Sequence, residues 1–295
     1  MTTNERRDAE QPAGEPAPAP SFPRPALEWM KQTREWGTRA RPGKGGLTIG
    51  ATNVGLYGEI PDVYEDMGRL PRGAYSVPGL LPSGNITLRS KAELWAEDVC
   101  DLYEEAISRR WVPAIDVPWD QCPRLSEDVE IAIAQVCTEL SQYASVEAEV
   151  ISAWLQKMSY GYHEVKLYLA TQAFDCGRHF ELFRKRALVN GGGLGLEAPG
   201  QVTRMLLESQ AGWSETSFLL YMVRGTLLFT IYRYLARYAP TPADEIIFSR
   251  ALQDKARHLA YGTQHLHYGL AHREHFDDMA HRVLTGGEFS SAIND

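Results

Sequence analysis

Two stretches of the chain, "QAFDCGRHFELF" at 172–183 and "LQDKARHLAYG" at 252–262, carry one pattern, D-x-x-R-H, inside runs of helical periodicity. Its members are Asp175, Arg178 and His179 in the first stretch and Asp254, Arg257 and His258 in the second. Residues three and four apart on a helix share a face, so each tetrad aims an aspartate and a histidine the same way. His179 and His258 hold equivalent places in the second helix of two helix pairs, an internal pseudo-repeat that predicts a two-fold related bundle. The residue after each aspartate differs between the copies: Cys176 in one, Lys255 in the other.

The flanking sequence supplies the helices. "SKAELWAEDVCDLYEEAISRRW" opens on a capping-box pattern at Ser90 and reads as one helix. Ser126 is placed to cap "SEDVEIAIAQVCTELSQYASVEAEVISAWLQKM", and "GYHEVKLYLATQAFDCGRHFELFRKRAL" follows it. The run "QVTRMLLESQAGWSETSFLLYMVRGTLLFTIYRYLARYA" reads as a third long helix. Thr241, with Pro242 next and Asp244 and Glu245 in the first turn, starts a fourth. Nothing after residue 90 reads as strand. "PGKGGLTIG" lacks the spacing of a phosphate loop, and the glycine cluster "VNGGGLGLEAPG" lies between helices rather than after a strand, so neither is a nucleotide site.

In a helical bundle, Glu at one position and His three residues on can bind one metal ion, and two such helices plus one Glu from each of the other two build a dimetal carboxylate centre. On these tetrads and long-helix pairs, residues 90–272 resemble the ferritin-like superfamily. The resemblance is closest to ribonucleotide reductase small subunits, their related ligand-binding oxidases and the hydroxylases of multicomponent monooxygenases. It implies an all-α, ferritin-like four-helix bundle with extra helices, an iron or manganese centre and oxidase or oxygenase chemistry. In those relatives both tetrads read D-E-x-R-H, the Glu and His bind metal and the Asp hydrogen-bonds a ligand His.

This chain keeps both histidines, aspartates and arginines but has Cys176 and Lys255 where the resemblance calls for ligand glutamates. A further carboxylate is expected from Glu147 or Glu149, although an alignment through "SQYASV" puts Gln142 there. In the fourth place stands Arg224, with Glu215 or Glu208 reached by a shift of register. A like charge 4 Å from a cation costs roughly 4 kcal/mol at an effective dielectric of 20. An ordinary di-iron centre is therefore not expected and no cofactor is predicted. The first reading is a non-catalytic scaffold or partner subunit, as a homodimer or a heteromer with another ferritin-like chain. The alternative is an active oxidoreductase on a small organic substrate with a remodelled centre. That centre would be a single iron or manganese site built from His179, His258, Asp175, Asp254 and Glu147 or Glu149, or a metal-free one using a Cys176 thiolate beside Lys255 or a tyrosine among Tyr143, Tyr221 and Tyr232.

Composition narrows the setting. A formal charge of −8 over 295 residues, with basic residues interleaved among acids, argues against nucleic acid as a partner. The most apolar run, 218–236, holds Arg224 and Arg233, which argues against a membrane span. The four cysteines lack zinc spacing and predict reduced thiols in a cytoplasmic protein. Residues 1–25, rich in Pro, Ala and Glu, are expected to form a disordered leader, 26–89 an irregular arm and 273–295 a polar tail. His265, His267, His272 and His275 near the end are read as polar surface rather than a metal cluster.

Overall fold

The computed structural model describes residues 37–65, 69–74, 85–197, 201–208 and 212–272. The expected leader, the first part of the arm and the tail with His275 lie outside them. The chain divides into two compact units, Met1–Gly37 and Thr38–Asp295, and all that follows concerns the second. Within the described residues it is all-α.

Four long helical rods make the core. α3 (Glu127–Leu155) starts after Ser126 with Glu127, Asp128 and Glu130 in its first turn, where the helix dipole favours negative charge. The Ser126 side chain itself makes no cap hydrogen bond. A short connection, closed by a 3-10 turn at Tyr160–Tyr162, returns the chain along α3 as α4 (His163–Val189). α8 (Pro242–Ala271) begins as read from the sequence: Thr241 accepts from the Asp244 backbone N–H and Pro242 fills the first turn.

Two expected helices are broken. At the Ser90 capping box the chain makes only a 3-10 turn, Lys91–Glu93, and α1 starts at Val99 and ends at Ser108. A four-residue helix, α2 (Pro113–Asp116), follows it. The run from Gln201 splits into α5 (Gln201–Glu208) and a rod that begins after Gly212, which is extended (φ −69°, ψ 177°). That rod changes pitch along its length: α6 (Trp213–Ser217), a π-helical segment (Phe218–Gly225) and α7 (Thr226–Arg237). Tyr221 in the π segment crosses α8 at Gly262, where a Cβ would stand 2.3 Å from the Tyr221 side chain, so this crossing requires glycine.

The interior is layered. One apolar cluster gathers Val150, Ile151, Leu169, Tyr221 and Tyr261; a second gathers Leu140, Phe183, Leu228, Tyr232 and Phe248. Along every rod the two are separated by buried polar residues: Glu147 on α3, Asp175 to His179 on α4, Arg224 on the π segment and Asp254 to His258 on α8. Side chains that repeat at the same level on antiparallel partners meet in one plane, and here that plane is charged.

The arm, where described, is irregular and bound to the end of the bundle. Arg72 reaches in to Asn53 Oδ1 (2.9 Å), the Tyr57 carbonyl (2.9 Å), the Gly161 carbonyl (2.5 Å) and Glu164 Oε1 (2.5 Å). No described helix is long and apolar enough to cross a membrane.

Candidate functional site

The two tetrads face each other, and their aspartates are exchanged. Asp254 Oδ2 takes His179 Nε2 of the opposite tetrad at 3.0 Å, and Asp175 Oδ2 faces His258 Nε2 at 3.3 Å. Arg178 Nη2 donates to both Asp175 Oδ1 (2.6 Å) and Asp254 Oδ2 (2.7 Å). Arg257 Nη2 likewise donates to Asp175 Oδ2 (3.1 Å) and to Asp254 Oδ1. Trp111, on the segment after α1, donates to Asp254 Oδ2 (3.0 Å) and lies 4.4 Å under the Arg178 guanidinium. Burial works to raise the Asp254 carboxyl, but His179, Arg178 and Arg257 outweigh it and hold the group below the carboxylate range. His179 goes down, because burial disfavours imidazolium more than Asp254 supports it.

In front of the histidines the ion pair is different. Lys255 Nζ stands 2.6 Å from Glu147 Oε2, with 2% and 3% of the two side chains exposed. Glu147 Oε1 accepts from Gln172 Nε2 at 3.1 Å and lies 3.5 Å from His258 Nδ1. Gln172 in turn accepts the Tyr221 hydroxyl at 2.9 Å, so one hydrogen-bonded file runs from Tyr221 through Gln172 and Glu147 to Lys255. Burial pushes Glu147 up, yet the Lys255 ammonium, His258 and Arg224 hold it well below the usual range. Arg224 lies 4.9 Å over the Tyr143 ring and donates to the Tyr143 carbonyl at 2.6 Å.

The sequence-derived candidates sort as follows. Glu147, Cys176 and His258 come together: each offers one ligand atom, all within 4.8 Å of one another. His179, Asp175 and Asp254 do not join them, because both aspartates sit behind the histidines under two guanidiniums. Glu149 is exposed, a half turn away from Glu147 on α3, and takes no part. Glu208 is exposed and pairs with Arg204, while the Glu215 carboxylate lies beside Gly212 at the start of α6. Cys176 is not the thiolate considered above. Burial raises its thiol, Glu147 adds to the rise, and Lys255 with Arg224 cannot offset them, so it stands well above its ordinary value.

Tyr232 packs edge-on to His179 with ring centroids 6.3 Å apart, and Tyr143 is half-buried beneath Arg224. His265 is buried against Tyr261, His267 is exposed and His272 stacks on Tyr268, so these three form no cluster. Gln172 and Trp111 were missed. Gln172 lies four residues before Cys176 and so on its face; Trp111 carried no signal in the pattern.

The architecture is the bundle that the tetrads implied: two antiparallel pairs of long helices, with each aspartate buttressing a histidine of the other pair. No family model matches the chain, and no curated protein matches it. Among solved structures the chain is similar to a variant R2-like ligand-binding oxidase with an aerobically reconstituted Mn/Fe cofactor. The likeness has 18% sequence identity and a TM-score of 0.45, and covers 61% of this chain and 73% of that one.

A carboxylate-bridged metal pair does not fit these residues. Among the described residues the centre offers one carboxylate that the two arginines do not hold, Glu147, and its Oε2 already carries the Lys255 ammonium. Divalent ions at this place would face Lys255 and Arg224 without the negative charge that hard cations require.

Proposed function

We propose that this chain is a ferritin-like protein of oxidase ancestry in which a fixed ammonium–carboxylate pair stands in place of paired metal ions, and that it acts as a non-catalytic scaffold or partner subunit. The observation that carries the reading is the Lys255–Glu147 contact of 2.6 Å in the closed centre of the bundle. A cation built into the chain supplies permanently the charge that bound ions supply in a metal centre, so the helices stay matched without metal. The partner is a second copy or a ferritin-like chain that retains glutamates in its tetrads.

Metal analysis of the purified protein tests the reading. Near-zero iron and manganese is expected, and about two ions per chain would reject it. The paired change Lys255→Glu with Cys176→Glu should move the centre toward metal uptake. Co-expression with a ferritin-like chain of intact tetrads, followed by size determination, tests the partner role.

One observation favours a second reading. Glu147, Cys176 and His258 form a carboxylate, thiol and imidazole set that suits a single borderline-soft ion once Lys255 leaves Glu147. In that case the chain is an oxidoreductase with a remodelled mononuclear centre. Titration with cobalt(II) decides: a thiolate-to-cobalt absorption band lost in Cys176→Ser supports this reading and counts against the scaffold.

A further inference from the structure

Beneath Tyr143 the charged layer does not close on itself. Its buried cations are Arg178, Arg224, Lys255 and Arg257, and its buried carboxylates are Glu147, Asp175 and Asp254. Three of the cations touch a carboxylate directly. Arg224 touches none among the described residues. It is 3% exposed; among the described residues its only hydrogen bond goes from Nη2 to the Tyr143 carbonyl, and its Nε and Nη1 have no acceptor. Arg178 and Arg257 also leave Nε unpartnered, but each has its charge met by both aspartates.

A buried guanidinium that touches no carboxylate, feels Glu147 only at a distance and leaves two of its nitrogens without acceptors is a costly state for a folded protein. A trapped water would satisfy the N–H groups but leave the charge. The ring of Tyr143 stabilises a cation only modestly. The π-helical segment strengthens the case. A departure from α to π pitch is rare and frequently marks a functional site, and here it spans the turn that carries Arg224. Gln142 and Tyr143, beside it on α3, are half-buried, so the guanidinium lies one side chain below the surface.

We infer that Arg224 holds a small monoanion, a halide or a short carboxylate, against its free Nε and Nη1, which completes the charge of the layer. Leaving the histidines out of the count, four buried cations face three buried carboxylates, so the layer is one negative charge short, and Arg224 at 3% exposure is within reach of a small species only by way of half-buried Gln142 and Tyr143.

The test uses the full chain. Thermal midpoints are measured as chloride or formate replaces gluconate at constant ionic strength, and crystals grown in bromide are examined by anomalous scattering. The midpoint should rise by several degrees and saturate with the small anion, and this response should vanish in Arg224→Met. If chloride acts at lower concentration the ligand is a halide; if formate does, it is a carboxylate. Bromide should lie against Arg224, a result that stands even where the variant fails to fold. A midpoint indifferent to the anion, an equal response in Arg224→Met, or bromide found only elsewhere overturns the inference.

Discussion

Lys255 and Glu147 meet at 2.6 Å with almost no exposure to water, one contributed by α8 and the other by α3. Removing one partner of such a pair strands a charge in the interior and costs about 3–5 kcal/mol. Lys255→Met should lose about that much in urea denaturation. Lys255→Met with Glu147→Gln should recover most of it, because neither group is then charged and Gln172 still has an amide to bond. A single variant as stable as the parent would show that the pair is not closed to water.

Acid should act in two stages. His265 is held down to about 4 by burial, with only the Trp95 carbonyl opposing. A group whose folded value lies below its unfolded one takes up protons mainly on unfolding, so its contribution is present above pH 6.5 and is lost as pH falls toward 4. That stage is worth about 3 kcal/mol. Below it, the depressed carboxyls of Glu147 and Asp254 contribute stability present above their unfolded values near 4 and lost as pH falls further. Denaturation followed from pH 8 to 3 should show both stages, and His265→Gln should diminish the first, leaving the share that belongs to His179.

The thiols should be quiet. Cys176 is raised well above its ordinary value and Cys137 to about 12, both by burial first, while half-buried Cys100 is raised to about 11. Iodoacetamide at pH 8 should leave the folded chain largely unlabelled and modify all four cysteines in denaturant, read by intact mass. Rapid labelling of Cys176 in the folded protein would contradict the closed centre.

Arg72 fastens the arm. Its guanidinium joins Asn53, Tyr57, Gly161 and Glu164, and Glu164 is fully buried. Arg72→Met leaves that carboxylate only the Asn53 amide and the neighbouring His163 ring, and should cost about 3 kcal/mol. It should also open the segment around 49–74 to limited proteolysis before the bundle itself is cut.

The bundle was legible because helical periodicity is a repeated signal. The starts at Thr241 and Ser126, and the tetrads on facing rods, needed only local pattern. Lys255 in the centre followed from the same register. Glu147 and Glu149 could not be separated without knowing which face of α3 turns inward, and two residues apart on a helix means nearly opposite faces. Gly212 and the π turns were hidden because a change of pitch leaves no mark in composition. The Cys176 thiolate was expected from Lys255 as a neighbour; burial, with the Glu147 charge added to it, raises the thiol by more than Lys255 lowers it.

The π-helical stretch Phe218–Gly225 also works as a screw thread cut at a different pitch from the rest of its rod. Each residue of α-helix advances the azimuth by about 100°. Deleting one residue there to restore ordinary pitch would swing the guanidinium of Arg224 out of its level, or else rotate everything from Thr226 onward against α8. Any homologue with a one-residue gap in this stretch would therefore present a different side chain at this height, and matching positions by plain residue counting would mislead there.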